Sequence, residues 1–67
     1  MTEHKRNTLK NLIKLKTLAR LAGIDNTYLS SIINNNKKPS VRLAQSLAHH
    51  ANTLVNSEFF TTQDFLN

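Results

Sequence analysis

Two residues carry almost all the strong backbone punctuation of this chain: its single glycine, Gly23, and its single proline, Pro39. Around them apolar residues recur three and four positions apart, and no stretch sustains the alternation of a half-buried strand. The pattern predicts an all-α fold, a small bundle of about five short helices. Residues 8–22 hold two stripes, Leu9, Leu12 and Ile13, then Leu15, Leu18, Ala19 and Ala22. They read as two helices with a tight break near Leu15–Lys16. One continuous helix is the alternative, because neither Gly nor Pro marks the break. Gly23 ends the stretch as a helix cap.

Asp25 is placed to cap the next helix, its carboxylate meeting free N–H groups at the positive end of the dipole. Leu29, Ile32 and Ile33 form that helix's apolar face, and Asn34 to Asn36 end it, since Asn tolerates left-handed backbone. Lys37-Lys38-Pro39 is a loop. Ser40 caps a helix from Val41 to about Ala51, with Leu43, Ala44, Leu47, Ala48 and Ala51 inward. Residues 52–60 look irregular, with Leu54, Val55, Phe59 and Phe60 reaching the core. Thr61-Thr62-Gln63-Asp64 fits a capping box, and Phe60 with Phe65 fits its hydrophobic staple, so a last helical turn is expected.

Charge divides the chain. All nine Lys and Arg lie in residues 1–42 with two acids, a balance of 9 − 2 = +7, whereas residues 43–67 carry only two acids, −2. A basic part and an acidic part suggest a polyanion-binding face and a separate packing or dimer face. Residues 1–7 are expected to be a basic N-terminal arm containing Lys5 and Arg6, frayed and solvated. Residues 52–67 are expected to be a packing or dimer segment. Cysteine is absent, which excludes disulfides and thiolate metal sites. Neither a signal-peptide core nor a run of ~20 apolar residues is present, so a cytoplasmic protein that spans no membrane is expected. His49 and His50 are adjacent on a helix and point ~100° apart, which makes no chelating pair. No metal, cofactor or small-molecule ligand is expected. No nucleophile motif or paired carboxylates appear, so an enzyme is not expected either.

The informative stretch is Leu18-Ala19-Arg20-Leu21-Ala22-Gly23-Ile24-Asp25-Asn26-Thr27-Tyr28-Leu29-Ser30-Ser31-Ile32, followed by Lys37-Lys38-Pro39-Ser40. Two helices that cross steeply need a small residue at the crossing, here Ala19, and a turn residue free to take positive φ, here Gly23. This run resembles the Cro/repressor-type (lambda-repressor-like, XRE-type) helix-turn-helix DNA-binding family over residues ~15–51. Leu15 stands where that family often has a phosphate-contacting Gln, and Asn35 where it commonly has Gly. The resemblance makes residues 1–67 a single helix-turn-helix domain, with the motif at about 15–34 and residues 25–34 as recognition helix.

Asn26, Thr27, Ser30, Ser31 and Asn34 then face the bases of the major groove, as short side chains that donate and accept hydrogen bonds at base edges. Without Arg or Lys on that face, an A·T-leaning or shape-based readout is expected. Lys14, Lys16, Tyr28, Lys37, Lys38 and Arg42 are the expected phosphate contacts. The resemblance implies sequence-specific binding of double-stranded DNA by a bacterial or phage transcriptional regulator, a Cro-like repressor acting as a homodimer. The alternative is an antitoxin-like or adaptor module that holds a protein partner with its Phe-rich, acidic C-terminal segment.

Overall fold

Five helices follow one another among the described residues, 1–66, of the computed structural model. They are α1 (Glu3–Leu12), α2 (Leu15–Ala22), α3 (Asn26–Ile33), α4 (Val41–Val55) and α5 (Thr62–Leu66). Their starts are written in side chains. Thr2, Asp25 and Ser40 accept from the backbone N–H of Lys5, Thr27 and Leu43 at 3.3, 3.2 and 3.1 Å. At α5 the exchange is reciprocal: Thr61 N–H donates to Asp64 Oδ2 at 2.8 Å, and Asp64 N–H to Thr61 Oγ1 at 3.2 Å. That is the expected capping box, and Phe60 and Phe65 close the staple at 6.2 Å between ring centroids. Only α2 begins at a residue, Lys14, whose side chain caps nothing.

Three helices end by one device. Gly23, Asn35 and Asn56 take positive φ of 72°, 63° and 54°. In each case the next N–H reaches back five residues, Ile24 to Ala19, Asn36 to Ser31 and Ser57 to Asn52, at 3.0, 2.8 and 3.1 Å. The left-handed residue lets the chain turn on itself and satisfies carbonyls that the helix end orphans. The readings of Gly23 and Asn35 hold. Asn56 is the one the sequence concealed, and it carries α4 four residues beyond the expected end at Ala51.

The break between α1 and α2 lies at Ile13–Lys14, two residues before the expected position. Ile13 leaves the helix with extended backbone (φ −128°, ψ 135°) while its side chain stays buried. The second apolar anchor of α1 is therefore delivered from outside the helix. This turns Leu12, expected on the same stripe, outward to 64% exposure. The N-terminal arm also needs correction: residues 3–7 belong to α1, and Met1 is buried in the core.

The core gathers Leu9, Ile13, Leu18, Ala19, Leu29, Ile32, Ile33, Leu47, Phe60 and Phe65. Helix α2 packs on α3 and α4, and α5 packs on α4. Of the segment 52–60, Phe60 is buried and Val55 and Phe59 are half-buried, but Leu54 is 40% exposed. Asn52 holds this return: its Oδ1 accepts from Phe60 N–H and its Nδ2 donates to Phe60 C=O, both at 2.8 Å. Lys5 fastens the other side, its Nζ donating to Phe59 C=O and to Asp64 Oδ2, each at 2.7 Å. The same ammonium stands 4.7 Å from the Phe59 ring centroid.

Two expectations follow from these contacts. No heavy atom lies within 4 Å of where a Cβ would stand on Gly23. Gly23→Ala should thus lose only the left-handed backbone term, about 1–2 kcal/mol in urea unfolding, and Gly23→Asn should keep most of the wild-type midpoint. Equal losses in both variants would contradict this. The second expectation concerns acid. Burial pushes the Asp64 carboxyl up, but the Lys5 hydrogen bond and the Thr61 amide outweigh it and hold the group below its ordinary 3.8. A carboxylate with a depressed folded pKa stabilises fully above its unfolded value, and that contribution is lost as pH falls through the folded value. Thermal melts from pH 7 to pH 3 should show Asp64→Asn losing less stability on acidification than wild type. Parallel curves would contradict the Lys5–Asp64 assignment.

Candidate nucleic-acid interface

Helix α3 is two-sided by sequence. Leu29, Ile32 and Ile33 are buried, and at 100° per residue Thr27, Ser31 and Asn34 fall on the opposite side, with Ser30 at its flank and Asn26 only about 20° from Ile33, at the edge of the buried face. Asn26, Thr27 and Asn34 are exposed, and Ser30 and Ser31 are half-exposed. Four of the five expected base readers, Thr27, Ser30, Ser31 and Asn34, therefore share one face, and Asn26 stands apart at its edge in the first turn. They are not equally free. Ser31 Oγ donates to Thr27 C=O at 3.2 Å, which leaves its oxygen as an acceptor. Asn34 Nδ2 is 3.5 Å from Ser30 Oγ, a long and weak contact. Asn26 and the Thr27 hydroxyl have no side-chain partner among the described residues. The Asp25 carboxylate is turned to Thr27 N–H, as a cap rather than a reader.

Turn geometry sets how this stripe is presented. The Ile24 N–H to Ala19 C=O bond at 3.0 Å closes α2 through Gly23, and α3 starts three residues later. The connection is as short as a helix-turn-helix requires. Ala19, buried at the crossing, supplies the small side chain.

Cations precede, lie within and follow this unit along the chain. Lys14, Lys16, Lys37, Lys38 and Arg42 are exposed, as are Lys10 and Arg20, which the sequence reading left out of the site. Among the described residues the ion pair is Lys5 with Asp64, so those seven carry no carboxylate partner. Tyr28 is half-buried against the core, with Lys37 Nζ over its ring at 5.9 Å from the centroid. The ring thus positions the loop lysine. Such an arrangement offers hydrogen-bonding groups to base edges and loose positive charge to phosphates.

Lys5 and Arg6, counted among the basic residues of the chain, are withdrawn from this set. Lys5 is bonded to the C-terminal segment, and Arg6 Nε donates to Ile33 C=O at 3.0 Å. Arg6 has no signal in sequence, because its partner is a backbone carbonyl 27 positions away.

The His49 and His50 rings lie edge to face, 5.4 Å apart. No group of three potential metal ligands occurs among the described residues. No helix among them is long and apolar enough to cross a membrane.

A helix-turn-helix family model matches residues 5–53, from the first turn of α1 to the last turn of α4. The loop after α4 and helix α5 lie outside the match. No curated protein and no solved structure matches the chain. With α2, the Ala19–Gly23 turn and all of α3 inside one family match, the chain belongs to the Cro/repressor-type helix-turn-helix family of DNA-binding regulators.

Proposed function

We propose that this protein is a sequence-specific repressor that inserts α3 into the major groove of double-stranded DNA. One observation carries the reading: Thr27, Ser31 and Asn34 lie opposite the buried face of α3, in a chain whose exposed cations have no carboxylate partner among the described residues. Asn26, Thr27, Ser30, Ser31 and Asn34 read base edges. Lys14, Lys16, Lys37, Lys38 and Arg42 neutralise phosphates, with Tyr28 steadying Lys37. Two copies read half-sites about 34 Å apart. The protein-partner reading loses its main support, since Phe60 and Phe65 are buried and Phe59 packs against Lys5 and the core.

The test is fluorescence anisotropy on a duplex enriched by random-site selection and on a scrambled duplex of the same composition, at two salt concentrations. The enriched duplex is expected to bind ~10³-fold or more tighter. Lys37→Ala with Lys38→Ala should weaken both duplexes alike and reduce the salt slope by about 2. Thr27→Ala should cost ~1–3 kcal/mol on the enriched duplex and relax preference at one base pair. Failure to enrich any sequence would contradict the proposal, and so would equal weakening of all sequences by Thr27→Ala.

A further inference from the structure

The C-terminal end of α3 is held from outside the helix. Its last turn has no basic residue of its own, although a cation at the C-terminus complements the dipole and satisfies orphan carbonyls. The missing charge comes from α1. Arg6 Nε donates to the C=O of Ile33, the last residue of α3, at 3.0 Å, and Arg6 Nη2 to Met1 C=O at 3.4 Å. A second tie lies two residues further on. Asn35 Oδ1 accepts from the Met1 amino nitrogen at 2.9 Å, and Asn35 Nδ2 donates to Met1 C=O at 3.3 Å. Met1 is itself buried in the core, so these bonds are anchored at both ends. Arg6 and Asn35 thus share the Met1 carbonyl and grip the residues on either side of Asn34.

A glycine at position 35 would allow the same backbone, φ 63°. It would supply none of these bonds. The Asn35 side chain therefore has a use beyond tolerating left-handed backbone. Nor is Arg6 free for phosphate, since its guanidinium faces two carbonyls of its own chain.

We propose that Arg6 and Asn35 are positioning residues for DNA recognition: through Ile33 and Met1 they fix the C-terminal end of α3 and the aim of Asn34. The inference rests on the reading of α3 as the recognition helix. A phosphate contact changes affinity for every sequence and the salt slope together. A positioning contact changes discrimination and leaves the salt slope alone. The two roles are therefore separable.

The experiment compares wild type, Arg6→Gln, Asn35→Gly and the double variant, all well below their melting temperatures. The duplexes are the one enriched by random-site selection with wild type and its scrambled counterpart. Each single variant is expected to lower the ratio of enriched to scrambled binding by at least about fivefold, with scrambled binding and salt slope unchanged. The double variant should be little worse than the singles, because both ties hold the same end of α3 and share the Met1 carbonyl. A general loss of fold would add instead. In the free protein, hydrogen exchange at the Asn34–Asn36 amides should quicken in both variants. A ratio unchanged in both would overturn the inference alone, as would unaltered exchange. A salt slope reduced by about 1 in Arg6→Gln would make Arg6 a phosphate contact and overturn it too. No enrichment by wild type would overturn the reading of α3 and the inference with it.

Discussion

Helix α3 has to be held from one side only. Its buried residues, Leu29, Ile32 and Ile33, take up one face, and the proposed DNA reading needs the other bare. Everything else in the fold supplies the support that this forbids on the open side. Asp25 holds the N-terminal end, the Gly23 turn fixes its angle to α2, and Arg6 meets the carbonyl at its C-terminal end. Eight helical residues are too few to persist on propensity alone, so the ends matter as much as the face.

A chain of this length closes its core with little apolar surface to spare. The residues that close it come from the extremities. Met1, Phe60 and Phe65 are buried, and Lys5 joins the basic N-terminal part to the acidic C-terminal part at Asp64. The charge asymmetry of the sequence thus has two separate consequences. One cation crosses to the acidic part and closes the fold, another reaches the end of α3, and the remaining seven stay exposed.

What was legible in the sequence is what local chemistry determines. Caps at Asp25, Ser40 and Thr61, the left-handed Gly23 and Asn35, and the two faces of α3 follow from neighbours within a few residues. The break between α1 and α2 was misplaced because no breaker marks it. Ile13 leaves the helix because the core needs its side chain, which is a tertiary cause. Leu12 follows the same route, and α4 runs on past Ala51 to the left-handed Asn56, while the Asn52 side chain is taken up by Phe60. Arg6 was the deepest omission. Its charge suggested solvent or phosphate, and only the fold brings a carbonyl to it. Thr27, Ser30, Ser31 and Asn34 share one face as the helical period predicts, whereas which bases a recognition helix would meet depends on a DNA sequence that the chain does not encode.

The most direct test of the account is a map of backbone amide shifts in isotope-labelled protein titrated with the enriched duplex. The account expects the largest changes at residues 25–38, with smaller ones at Lys14–Thr17 and Arg42, and little change at Phe59–Leu66. Changes centred on Leu54–Leu66, with Asn26 to Asn34 unmoved, would contradict it.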